Sequence, residues 1–126
     1  MPASFDYAII RVVPRVERQE FINAGVVVFC LEKRYLDSRI LLNEERLKSL
    51  WPDVDVELVR KHLDAFPRIC GGDEAAGPIA RLSQRERFHW LSSARSTMIQ
   101  PSPVHTGICD DTVDILDRLT NQFLSI

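Results

Sequence analysis

Hydrophobic positions along the chain change period near residue 43, and the change marks out the elements. Residues 5–13 (FDYAIIRVV) are apolar on both alternating faces, the pattern of a strand covered on both sides of a sheet. Pro14 stops it, and 15–20 (RVERQE) reads as a charged connection with a helical turn. Residues 21–31 (FINAGVVVFCL) form a second buried strand. Asn23-Ala24-Gly25 within it predicts a bulge, because glycine permits the backbone geometry a bulge needs. After a turn at Glu32-Lys33-Arg34, residues 35–42 alternate, with Leu36, Ile40 and Leu42 on one face and Asp37 and Arg39 on the other. That alternation predicts a half-buried antiparallel strand.

Beyond residue 43 the period is helical. Asn43 caps a short helix with Glu44 and Glu45 at its positive end and Leu47, Leu50 and Trp51 on its buried side; Pro52 ends it. Asp53 or Asp55 caps a second helix with the stripe Val56, Val59, Leu63 and Phe66. Pro67 ends or kinks that helix, and Gly71-Gly72 stops any continuation. Residues 73–78 read as a flexible link, and Ser83-Gln84-Arg85-Glu86 is a capping box opening a helix through Phe88, Trp90 and Leu91. Residues 95–100 (RSTMIQ) suit a fourth strand. Pro101-Ser102-Pro103 begins a rigid loop running through His105 and Gly107. The last segment, from Asp111 or Thr112 to Leu124, is an amphipathic helix with the stripe Ile115, Leu116, Leu119 and Phe123. Strands first, helices next, then a late strand and helix predict a single α+β domain: a mainly antiparallel sheet of about four strands with three to four packed helices.

Composition narrows the function classes. The 126 residues are 45% hydrophobic, enough for one core without disulfides or metal. A charged fraction of 27% with net charge −2 argues against disorder and against a general nucleic-acid binder, which carries a basic excess. The apolar stretch at residues 7–10 is broken by Arg11 and lacks a basic start, so no export signal is expected, and residues 24–31 are too short to span a bilayer. Cys30, Cys70 and Cys109 are odd in number and far apart, which predicts free thiols in a reducing, cytoplasmic setting rather than a disulfide framework or zinc site. No metal and no cofactor is expected.

Phosphate-loop, dinucleotide, HExxH, nucleophile-elbow and kinase patterns are missing. The most unusual stretch is 95–109 (RSTMIQPSPVHTGIC). On a proline-stiffened loop, Arg95 could grip an anion as a fork, with Ser96 and Thr97 as donors and His105 as a donor or proton carrier. The same hydroxyls and the Gln100 amide could equally close the loop's own backbone hydrogen bonds. Arg11 interrupts an apolar strand and needs a partner; Glu17 and Glu20 are nearest in sequence, and Arg11 with Arg39 could instead line an anion pocket. Arg81, Arg85 and Arg87 interleaved with Phe88, His89 and Trp90 suit either nucleic-acid contact or a solvated helix face. His62 reads as a boundary residue of its helix. Cys109 and His105 have the residue types of a nucleophile and base, but their spacing says little about geometry.

The runs FDYAIIRVVPRVERQEFINAGVVVFC and ERFHWLSSARSTMIQPSPVHTGIC resemble the bacterial family of domain of unknown function 3037, over essentially the whole chain. The resemblance places the family's polar signature on Arg11, Pro14, Glu17, Glu20, Asn23 and Gly25, and on Arg87, Trp90, Arg95, Ser96, Gln100, Pro101, His105 and Gly107. Pro67 within a helix is a departure. The resemblance brings no activity with it and implies a protein partner, a HipA-like kinase. The candidate ligand-binding residues are therefore Arg11, Asn23, Arg39, Arg95, Ser96, Gln100 and His105. The expectation is a non-enzymatic accessory or binding module acting with a protein partner. The alternatives are a small hydrolase-like enzyme or anion-binding protein using Arg95 and His105, and a weak nucleic-acid binder.

Overall fold

The computed structural model describes residues 2–95, 97–110 and 112–124, except the side chains of residues 112 and 113. β1 (Ala3–Val12) is the middle of a five-stranded antiparallel sheet. β2 (Ile22–Cys30) pairs with one side of it and β3 (Tyr35–Ile40) continues outward. On its other side β4 (Ile99–Pro101) pairs with residues 10–12 and β5 (His105–Cys109) with residues 3–7.

Both apolar faces of β1 are used. Ala8, Ile10 and Val12 pack with Leu47 of α1 (Glu44–Leu50), Val59, Leu63 and Phe66 of α2 (Val56–Cys70), and Phe88 and Leu91 of α3 (Gln84–Ser92). Ala3, Phe5 and Ile9 on the opposite face pack with Val26, Val28 and Cys30 and with Ile115, Leu116 and Leu119 of α4 (Thr112–Phe123). The sheet is thus a middle layer with a separate core on each side, which is what a strand apolar at every position demands.

The helices start where capping side chains stand. Asn43 accepts from the Arg46 N–H at 3.1 Å, Asp55 from the Leu58 N–H at 3.1 Å and Ser83 from the Glu86 N–H at 3.2 Å. The Ser83 hydroxyl in turn donates to the Glu86 carboxylate at 2.9 Å. Pro67 does not end α2. Phe66 before it and Ile69 and Cys70 after it are all buried, and that packing holds the final turn to Gly71.

The expected bulge has a specific consequence. Ile10 pairs with Gly25 but Arg11 pairs with Asn23, so Ala24 is the extra residue and Asn23 is brought opposite Arg11. Gly25 is required by packing: a Cβ there would stand 2.8 Å from Ile40 Cδ1 and 3.0 Å from both the Arg39 carbonyl oxygen and Ile10 Cδ1.

The C-terminal half departs from expectation in three places. The fourth strand begins at Ile99, because Arg95 packs on α2 and α3 side chains instead of extending along the sheet. His105–Cys109 is a fifth strand where a loop was expected: the Phe5 ring occupies the space a side chain at Gly107 would need, 2.6 Å from that Cβ position, and so seals the glycine. Residues 73–78, expected as a flexible link, lie in two short turns of 3-10 helix, Glu74–Ala76 and Pro78–Arg81, the first capped by Asp73. Asp111, expected near the start of α4, lies outside the described residues.

Gly25→Ala is expected to destabilise the fold by about 1–3 kcal/mol through overpacking. Gly71→Ala, with φ −80° and no neighbour nearer than 3.4 Å to the new methyl, is expected to change stability by less than about 1 kcal/mol. Chemical denaturation of the two variants beside the parent checks both.

Candidate anion-binding site

The site is built on one row of the sheet. In the register, Gln100 of β4, Arg11 of β1 and Asn23 of β2 are direct neighbours, so their side chains leave the same face. This is the α4 face, at that helix's C-terminal end, where the Asn23 amide donates to the Phe123 carbonyl at 3.2 Å. Two clefts meet at Arg11. One, of about 450 Å3, is lined by Arg11, Val13, Val16, Gln19, Phe21, Arg95 and Gln100. The other, of about 400 Å3, is lined by Tyr7, Ile9, Arg11, Phe21, Asn23, Ser102, His105 and Phe123.

Arg11 is the unusual group. Its guanidinium lies over the Phe21 ring at 4.5 Å, and its Nε is buried without a hydrogen-bond partner. The carboxylates nearest in sequence are engaged elsewhere: Glu17 with Arg15 at 2.8 Å and Glu20 with Arg18 at 2.5 Å. The Arg18 guanidinium holds the Glu20 carboxyl below its ordinary value. Among the described residues no carboxylate pairs with Arg11. A buried polar atom left unmatched costs about 1–3 kcal/mol, and more for a charged group, so its retention calls for an explanation.

Arg95 reaches the first cleft from the loop after α3. It stacks on Trp90 at 4.5 Å, lies 5.9 Å from the Phe66 ring centre, and donates through Nη2 to the Trp90 carbonyl at 2.6 Å. Burial lowers its pKa from the ordinary arginine value, and it remains a cation at any physiological pH. On its other side is an apolar cleft of about 360 Å3 containing His62, Phe66, Trp90 and Met98.

The remaining sequence candidates divide. His105 is exposed on β5, its ring 5.5 Å from that of Tyr7 and in the second cleft with Arg11 and Asn23. Arg95 and His105 therefore line different clefts. Arg39 is bound to Asp117 of α4 and lines neither. Ser96 lies outside the described residues. Gln100 donates to the Thr97 carbonyl at 2.8 Å, Thr97 to the Ile99 carbonyl at 3.2 Å and Ser102 to the Pro103 carbonyl at 2.9 Å, so much of the loop's polarity closes its own backbone. Gln19, Phe21, Tyr7 and Phe123 are site residues that sequence reasoning missed. Of these only Phe21 carries a signal, as a large apolar residue at a strand's entry that is left 46% exposed.

Other candidates have structural roles. Arg87 donates to the carbonyls of Leu82 at 3.0 Å and of Ile69 and Cys70 at 2.8 Å, closing the C-terminal end of α2. Arg81 faces Glu74 at 3.7 Å. His105 and Cys109 are four residues apart on one strand, about 13 Å at strand rise and beyond hydrogen-bond reach. All three cysteines are free and buried. Among the described residues no group of three or more His, Cys, Asp or Glu could hold a metal, and no helix is long and apolar enough to cross a membrane.

Arg87→Met should destabilise the domain by about 2–4 kcal/mol, because it removes charge-assisted bonds to three carbonyls; urea unfolding reads this directly. Burial pushes the Cys70 thiol up to about 12 and the Tyr35 phenol, helped by Asp37, to about 12. Acids whose folded pKa is raised contribute stability that is fully present below the unfolded value and lost as pH rises. Stability should therefore fall between pH 9 and 12, by on the order of 3 kcal/mol with Cys70 dominant, and Cys70→Ser should flatten the decline. Alkylation of the native protein at pH 8 should leave Cys70 unmodified.

No curated protein and no solved structure matches the chain. A family model described as "Protein of unknown function (DUF3037)" matches residues 7–124, nearly the whole length. The chain belongs to the family of domain of unknown function 3037.

Proposed function

We propose that this domain is a non-enzymatic binding module that holds an anionic group of a protein partner at Arg11. The observation that carries the reading is Arg11 itself, which lines two open clefts, pairs with no carboxylate among the described residues and keeps a buried Nε without an acceptor. A guanidinium kept in a sheet at a cost in stability and facing a cavity is the arrangement expected of an anion grip. Phe21 beneath it holds the plane of the fork, so little freedom is lost on binding.

An enzyme using Arg95 and His105 receives less support, since the two line different clefts. Nucleic-acid binding through residues 81–87 is weakened by the internal engagement of Arg81 and Arg87. The family resemblance offers a HipA-like kinase as the partner, and three free, buried thiols support a cytoplasmic setting.

Affinity capture on the immobilised domain, from its native host and from cells co-expressing a HipA-like kinase, tests the reading. The wild-type domain should retain a partner, and Arg11→Met should lose it while melting at an unchanged or higher temperature. Recovery of the domain alone, or equal retention by the variant, would contradict it.

A further inference from the structure

We propose that the cleft between Arg11 and Arg95 is a site for a phosphate monoester dianion. The inference rests on the binding-module reading and names the chemical class of its ligand.

Two guanidinium groups face this one cleft, and among the described residues neither pairs with a carboxylate. That sets them apart from Arg15, Arg18, Arg39, Arg60, Arg68 and Arg81, each of which faces an Asp or Glu within 4.0 Å. The two are fixed from different parts of the fold. Arg11 is held by the sheet and the Phe21 ring, Arg95 by Trp90, Phe66 and the Trp90 carbonyl. Arg95 spends one of its five N–H groups on that carbonyl, and the terminal nitrogens of Arg11, unlike its enclosed Nε, are not buried without a partner, so donors remain on both. Gln19 and Gln100 supply the cleft's other polar side chains, and Val13, Val16 and Phe21 its apolar wall.

Charge and geometry select the ligand. Two partly desolvated cations on one cleft repel each other when it is empty. A single carboxylate neutralises one of them and has two oxygens. A phosphate monoester carries about −1.5 to −2 charges near neutral pH and presents three acceptor oxygens, so it can satisfy both forks at once. The volume, about 450 Å3, falls within the range of about 300–1,000 Å3 usual for small-ligand sites. The ester can belong to a phosphorylated side chain of a partner or to a soluble phosphorylated metabolite; the shared chemistry is the dianion.

Calorimetric titration of the whole domain at pH 8 and low salt tests this. Phenyl phosphate should bind at least about tenfold more tightly than phenylacetate. Arg11→Met and Arg95→Met should each weaken it at least about tenfold, the least expected from loss of one charge-assisted contact. Arg85→Met, on an exposed face of α3, should leave binding unchanged. Because Arg95 also packs on Trp90, Arg95→Lys is the second variant: it keeps charge and stem, and should still weaken binding by losing the fork. Titrations with N-acetylphosphoserine amide and with a nucleoside monophosphate distinguish the sources, and tight binding of either supports the site. Equal binding of phenyl phosphate and phenylacetate, or indifference to both Arg95 variants, would overturn the dianion site while leaving Arg11 as an anion grip. No binding of phosphate esters would overturn it too, and Arg11-dependent capture of a partner would then show that the broader reading survives.

Discussion

A cation in the middle strand of a sheet is the constraint around which this fold is arranged. Arg11 follows Ile10, which is fully buried, and precedes Val12, which is fully buried, so the backbone at Arg11 is fixed and its side chain stays half-buried with its Nε enclosed. The surroundings accommodate it. The Ala24 bulge brings Asn23 opposite it, Phe21 lies beneath its guanidinium, and the neighbouring loop places Arg95 and Gln100 along the same cleft. None of these supplies a counter-charge. A fold under selection for stability alone would fill this position with an apolar residue, since replacing an imperfectly compensated buried charge is often stabilising.

The two-sided core makes such a position tolerable. β1 is clamped by α1, α2 and α3 on one face and α4 on the other, and the largest fully buried side chains come from both layers: Ile10, Leu47, Leu63 and Leu91 on one, Ile115 and Val26 on the other. Burial of this kind contributes about 1.5–3 kcal/mol for each large aliphatic side chain, so one under-satisfied guanidinium is within what the domain can bear. Rigidity follows from the same packing and is what a preorganised binding fork requires.

Much of the fold was legible in the sequence because it depends on local rules. Apolar runs on both faces of residues 5–13, Asn-Ala-Gly at the bulge, and Asn43, Asp55 and Ser83 at helix starts act within a few residues of themselves. β5 was not legible. Its sequence HTGIC has Ile108 73% exposed and a glycine whose missing side chain is replaced by Phe5, about a hundred residues away. The site divides along the same line. Arg11 stood out as a charge in an apolar strand, but its expected partners, Glu17 and Glu20, are taken by arginines two residues away. Arg39 looked equivalent to Arg11 until α4 supplied Asp117. The convergence of Arg95 on Arg11 depends on how a loop after α3 packs against Trp90, which no period or spacing encodes.

The central claim, that Arg11 has no carboxylate partner among the described residues, is open to a direct thermodynamic measurement. The unfolding free energies of the wild-type domain and Arg11→Met are compared from pH 7 down to pH 3. A paired carboxylate would have a depressed folded pKa, and its contribution would be present above the unfolded value and lost as pH falls. With no partner, the difference between the two proteins should stay constant across the range, with the variant equal or more stable throughout. A wild-type advantage at pH 7 that shrinks progressively in acid would reveal a carboxylate on Arg11 and contradict the account.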